Sequence, residues 1–301
     1  MILETPTGRL HGTLELPAGA GACPVALIIA GSGPTDRDGN STLLPGRNDS
    51  LKLVARALAD GGVASLRYDK RAIGESRGAG LEESAMTFDL AVEDAVQWLR
   101  LLGADARFAR ALVVGHSEGS LVGMLASRRA AVSAFVSLEG AGRPAADVLR
   151  SQLRGQLPAD LMDEVDAVLR ELEAGRTVDP LPPGIAAVPQ VGQALFRQSV
   201  QPYLVSWFRH DPARALAELE IPCLVVQGTT DLQVPVADGD GLAAAAQHAT
   251  LARIEGMNHV LKTAPADRDA NLAAYSDPAL PLAPGLVAAM RGFLTASGIT
   301  T

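Results

Sequence analysis

The chain reads as an α/β protein: a mostly parallel sheet with helices on both faces, interrupted by an inserted helical cap. Three observations predict this. Short apolar runs rich in valine and isoleucine alternate with longer stretches of helical period, as expected when buried parallel strands are joined by crossover helices. The alternation fails from about Ala141 to Ala217. A chain of 301 residues, 48% of them hydrophobic, can fill one large core and still carry an insertion.

The predicted strands, in order, are Leu10 to Leu16, Val25 to Ile29, Val63 to Tyr68, Ala111 to Gly115, Ala134 to Leu138, Cys223 to Gln227 and Thr250 to Ile254. Helices are predicted over Asp49 to Asp60, Ala85 to Leu102, Ser120 to Arg128 and Pro284 to Ala296, where apolar positions recur three and four apart. Gly61-Gly62 and Gly103 stand where helix stops belong. Residues 1–140 and 218–301 therefore form the core, and 141–217 the cap. The first cap helix spans Ala159 to Glu173 and puts Leu161, Val165, Val168, Leu169 and Leu172 on one stripe. Proline crowds Thr177 to Pro189 into a loop.

Composition removes several function classes. A net charge of −8 and a pI near 5.2 oppose the concentrated basic surface that nucleic acid requires. The start MILETPTGRLHG has neither a basic end nor a long apolar run, and no later stretch reaches the length that spans a bilayer. The expectation is a soluble, cytoplasmic protein without membrane contact. Cys23 and Cys223 each neighbour a proline at the start of an apolar run, so they read as core thiols rather than as a disulfide framework or a metal site.

Gly115-His116-Ser117-Glu118-Gly119 fits GxSxG and falls between an apolar strand and an amphipathic helix. A serine at such a turn is held in a strained backbone that tolerates only small neighbours, and its hydroxyl projects above the sheet. It needs a base. Of the five histidines, only His259 follows the last predicted strand onto the same edge of the sheet. His11 lies in an N-terminal strand pair, His116 should point away from Ser117, His210 is in the cap, and His248 precedes a strand on the solvent side. Asp231 stands four residues beyond the strand end at Gln227 and is the candidate acid that orients the base. Asp238 and Asp240 lie further on and read as capping or solvated residues. The order serine, aspartate, histidine accompanies this kind of turn.

After Val25 to Ile29 comes GSGPTDRDGN, where glycines let backbone N–H groups approach a carbonyl. The expected oxyanion hole is the N–H of Ser32 with that of Glu118. The run has neither the third glycine of GxGxxG nor a GK[ST] ending, which argues against nucleotide binding. Asp36, Arg37, Asp38, Asp69, Lys70, Arg71 and Glu118 should gather near the serine as a paired network holding this loop. Of the eleven aromatics, Phe196, Tyr203, Trp207 and Phe208 fall within thirteen residues of the cap and are the candidate substrate-binding surface.

Taken in order, GSGPTDRDGN, RYDKRAIGES, GHSEGS, QGTTDLQVP and GMNHVLK resemble bacterial carboxylesterases of the α/β-hydrolase superfamily, of the serine-aminopeptidase-like or dienelactone-hydrolase-like type. The resemblance implies the α/β-hydrolase fold, a triad of Ser117, Asp231 and His259, esterase activity on small acyl esters, and no metal or organic cofactor. Ala72 departs from it, because glycine usually follows RYDKR. A peptidase or thioesterase with the same triad is the rival reading, and a non-catalytic receptor that keeps the fold is a third.

Overall fold

The computed structural model describes residues 1–19 and 21–300. Among these residues eight strands form one sheet: β1 (Ile2–Thr5), β2 (Gly8–Glu15), β3 (Cys23–Ile29), β4 (Ala64–Tyr68), β5 (Phe108–His116), β6 (Phe135–Leu138), β7 (Cys223–Gly228) and β8 (Ala249–Ile254). Their spatial order is β1-β2-β4-β3-β5-β6-β7-β8. The pairs β1/β2 and β2/β4 are antiparallel, and all pairs from β4/β3 to β7/β8 are parallel. The sheet is thus mostly parallel, as the valine-rich runs predict.

Alternation along each strand sorts the core into two layers. Val25, Leu27 and Ile29 of β3, with Val113 and Val225, face helices α2 (Phe88–Gly103), α3 (Glu118–Ser127) and α10 (Val236–Ala245). Ala26 and Ile28, with Leu112, Val114, Leu224 and Val226, face α1 (Ser50–Asp60) and α12 (Pro284–Ala296). Leu27 and Ile28 are 0% and 1% exposed, and burying such a side chain stabilises by about 1.5–3 kcal/mol. Helix α2 begins later than the apolar period suggests, because Thr87 caps it by accepting from the Leu90 N–H, and Glu83–Ala85 forms a separate 3-10 turn.

Six helices lie between β6 and β7: α4 (Ala145–Arg154), α5 (Ala159–Glu173), α6 (Pro183–Ala186), α7 (Pro189–Gly192), α8 (Gln201–Phe208) and α9 (Pro212–Ala217). Within the proline-rich stretch, Pro183 starts the one-turn α6 at a position where its missing N–H is harmless. Most of these helices share a core of their own, built from Met162, Val165, Leu169, Leu172, Phe196 and Phe208 among others. Polar links tie the segment to the sheet domain on two flanks. Arg197 pairs with Glu83, Arg209 pairs with Asp89 at 2.6 Å, and the Phe88 N–H donates to Ser206 Oγ at 2.8 Å. On the other flank Arg143 grips Asp238, and Gln152 Nε2 donates to the Gln233 carbonyl. The loop 255–267 connects β8 to α11 (Arg268–Ala273). No helix among the described residues is long and apolar enough to cross a membrane.

Candidate active site

Ser117 occupies the turn between β5 and α3 with φ 54° and ψ −122°, a conformation that an L-residue adopts only when its surroundings enforce it. What enforces it is close packing on either side. A Cβ at Gly115 would lie 2.3 Å from the Gly119 carbonyl oxygen, and one at Gly119 would lie 2.4 Å from that of Ile29. Backbone atoms cannot rotate aside, so both positions require glycine for space.

His259 follows β8 in a tight turn closed by Asn258, whose N–H donates to the Lys262 carbonyl while its own carbonyl accepts from Leu261 N–H. Its Nε2 lies 3.1 Å from Ser117 Oγ, which donates to it, and its Nδ1 lies 2.7 Å from Asp231 Oδ2. Asp231 Oδ1 accepts from the N–H groups of Gln233 at 2.7 Å and Val234 at 3.0 Å. The Asp231 side chain is fully buried. Burial alone lifts its carboxyl, but His259, Glu139 and the Gln233 N–H hold it below the ordinary carboxylate value. The three side chains expected to act together therefore meet in one hydrogen-bonded line.

The other histidines lie elsewhere in the fold. His116 is buried, and its Nε2–H donates to the His259 carbonyl at 2.8 Å. Burial pulls its pKa down to about 3, aided by the neighbouring imidazole of His259. His210 bonds Asp89, and His248 is exposed. Asp238 is buried rather than capping or solvated, and takes Arg143 through both oxygens and the Gly142 N–H at 3.1 Å. Asp240 is a surface partner of Arg253.

Glu139 was not among the residues singled out from the sequence. It follows β6 with φ 51°, is fully buried, and accepts from the Gly228 N–H at 2.8 Å and Gln227 Nε2 at 2.5 Å. Burial and the neighbouring Asp231 charge push its carboxyl well above the ordinary value. A carboxylate directly after a central strand, on the edge that carries Ser117, is the signal that could have found it.

Neither the Ser32 N–H nor the Glu118 N–H has an acceptor among the described residues. The loop that carries Ser32 is anchored by ion pairs, Arg37 to Asp69 at 2.6 Å and Asp38 to Arg67 at 2.7 Å, while Arg71 forks onto Asp94. Although burial works against it, hydrogen bonds from Arg37 hold Asp69 below its ordinary value. Glu118 is buried beside Tyr203, and burial raises its pKa although Lys70 opposes the shift.

A cavity of about 720 Å³ opens on Ser117 and is lined by Ser32, Leu121, Val148, Leu195, Tyr203 and Trp207 among others. Trp207 also stacks on Phe88, with ring centroids 5.7 Å apart. Phe196 and Phe208 do not line the cavity. They are 0% and 9% exposed inside the core of the helical segment, where helix phase turns Phe208 away from the face shared by Tyr203 and Trp207.

A family model described as the alpha/beta hydrolase family matches residues 42–275, a span that contains Ser117, Asp231 and His259. Esterase EstD of Thermotoga maritima is 28% identical over 230 residues, covering 76% of this chain and 52% of that protein. The chain thus spans about half the length of that curated relative. Est1E of Butyrivibrio proteoclasticus, solved with ferulic acid bound, superposes with a TM-score of 0.61 at 20% identity, covering 91% of this chain and 94% of that one. A thermophilic esterase from Thermogutta terrifontis, solved with malate bound, superposes with a TM-score of 0.58 at 18% identity over 100% and 97% of the two chains.

Proposed function

Because the chain belongs to the alpha/beta hydrolase family, we propose that it is a serine esterase cleaving small carboxylic esters through an acyl-enzyme on Ser117. The observation that carries this reading is the continuous line from Ser117 Oγ through His259 to Asp231, at 3.1 and 2.7 Å. In the first step Ser117 Oγ attacks the ester carbonyl and passes its proton to His259 Nε2. Asp231 holds Nδ1–H and stabilises the imidazolium. The N–H groups of Ser32 and Glu118 receive the carbonyl oxygen as it becomes negative. His259 then protonates the leaving alcohol. Water, deprotonated by the same nitrogen, releases the acid and restores the serine.

The cavity walls favour an uncharged acyl group. Capture of a peptide's free amino terminus needs an available carboxylate. Those lining the cavity are Glu83, held by Arg197 and Ser199; Asp94, held by Arg71; and Glu118, raised by burial. The names of the Thermotoga and Thermogutta relatives, both esterases, agree.

The test compares p-nitrophenyl esters, a thioester and aminoacyl anilides, beside labelling with a fluorophosphonate. Ser117→Ala should abolish labelling and reduce kcat on the esters by about 10⁴- to 10⁶-fold with the fold intact. Near-native ester turnover by that variant refutes the assignment. Rapid release of amino-terminal residues with negligible ester turnover replaces it with the peptidase reading.

A further inference from the structure

Lys70 follows β4, and its Nζ donates to the carbonyl of Gly31 at 2.6 Å and to that of Gly33 at 2.8 Å. The Gly31 carbonyl and the Ser32 N–H belong to one planar trans peptide, in which the two groups point in opposite directions. Drawing that oxygen onto Lys70 therefore turns the Ser32 N–H away from Lys70, where it has no acceptor within the chain among the described residues. Ser32 and Ser117 both line the cavity. Gly33, at φ 67°, gives the segment little conformational preference of its own, so its orientation has to be imposed from outside.

We propose that Lys70 is a positioning residue of the acyl-transfer site: by clamping the two carbonyls that flank Ser32 it aims the Ser32 N–H at the developing oxyanion and strengthens it as a donor. The inference rests on the function proposed above. An ammonium bound to an amide oxygen draws electron density through the peptide and makes its N–H a better donor. The neighbouring cation Arg71 is committed to Asp94, Thr7 and the Ala79 carbonyl, and among the described residues Lys70 is the cation that bonds the Gly31 and Gly33 carbonyls. The role differs from holding the loop folded. Residues 36–49 have anchors of their own in Arg37–Asp69, Asp38–Arg67 and the Asn40 side chain, which bonds the N–H groups of Asn48 and Asp49. Thr35 Oγ1 fixes the intervening Ser32 carbonyl.

The experiment compares wild type with Lys70→Met and Lys70→Gln by three measurements: kcat and KM on p-nitrophenyl butyrate, the rate at which a fluorophosphonate phosphonylates Ser117, and the melting temperature. Phosphonylation also passes through an oxyanion but does not depend on the ester class. Met should lower kcat and the phosphonylation rate together, on the order of tenfold to a hundredfold, with KM and melting temperature held. Gln, which donates without charge, should fall between Met and wild type. A Met variant with wild-type kcat and labelling overturns the inference and leaves the esterase reading intact. So does a change confined to KM, or loss of the fold in both variants, which would make the lysine purely structural. Wild-type protein that neither labels nor hydrolyses esters refutes the esterase reading and this inference together.

Discussion

His116 makes the protein sensitive to mild acid, and the size of the effect follows from its surroundings. Its ring is buried against the His259 backbone, and burial pulls its folded pKa down to about 3. In the unfolded chain a histidine titrates near its ordinary value of about 6.5. Between those values the unfolded state binds the proton and the folded state does not, so stability falls as pH falls. At pH 5 the folded form is still neutral, and the unfolded form gains about 2.303RT × 1.5, or about 2 kcal/mol, against about 0.2 kcal/mol at pH 7. The perturbation is His116→Gln, which cannot titrate and can still offer an N–H to the His259 carbonyl. Urea unfolding of both proteins at pH 7, 6 and 5 gives the difference directly. The other histidines are common to both proteins, and so is Glu139, whose raised pKa gives stability that declines as pH rises; these contributions cancel. Asp69 and Asp231, with lowered pKa values, lose their contributions only as pH falls below the ordinary carboxylate range, beneath this window. Wild type should lose about 2 kcal/mol more than the variant between pH 7 and 5. Parallel losses in the two proteins refute the reasoning.

Asp231→Asn should cost up to about 10⁴-fold in kcat at neutral pH by favouring the wrong imidazole tautomer, whereas Asp238→Asn, which weakens the Arg143 pair, should leave kcat alone and lower urea stability by about 1–2 kcal/mol; the reverse ranking in kinetics displaces Asp231. Phe196→Ala empties a buried site in the helical segment and should cost about 3–5 kcal/mol in denaturation. Trp207→Ala, on the cavity wall, should instead change KM or acyl-chain preference across a series of p-nitrophenyl esters while leaving labelling of Ser117 intact. Ala72 has φ 64°, where an L-residue is strained by about 1–2 kcal/mol. After the greater chain entropy of glycine, about 0.5–1 kcal/mol, Ala72→Gly should gain about 0.5–1 kcal/mol by calorimetry.

What could be read from the chain was whatever local pattern dictates. The central strands β3, β6 and β7, and β5 from Ala111, are legible because parallel strands buried on both faces have to be nearly continuously apolar, and α12 begins and ends where its proline and period place it. Ser117, Asp231 and His259 are legible because each follows a strand on one edge of the sheet. The N-terminal strand pair is legible only as a pair: the bounds of β1 are not, since four residues with only Leu3 buried carry little pattern, and their pairing is fixed by the turn at Thr5 and Gly8. The pairings of Glu139 and Asp238 are not legible because their partners are distant in sequence: Gly228 lies 89 residues from Glu139, and Arg143 95 from Asp238. The aromatic cluster misled through density. Tyr203 and Trp207 are four apart on α8 and share a face, and that phase, not their number, decides which rings reach the cavity.

The backbone at Ser117 has an evolutionary consequence. A residue held at φ 54° and ψ −122° keeps the folded state under tension that a glycine at the same position would relieve. On the function proposed above, Ser117→Gly removes the nucleophile in a direction that is downhill in stability, while Gly115 and Gly119 admit no such exchange, because backbone oxygens fill the space where a side chain would begin. In a lineage no longer selected for turnover, the serine is the first part of the turn to drift and the glycines are the last. Descendants without the serine would keep the cavity and the turn, fold better than their ancestor, and be available as receptors.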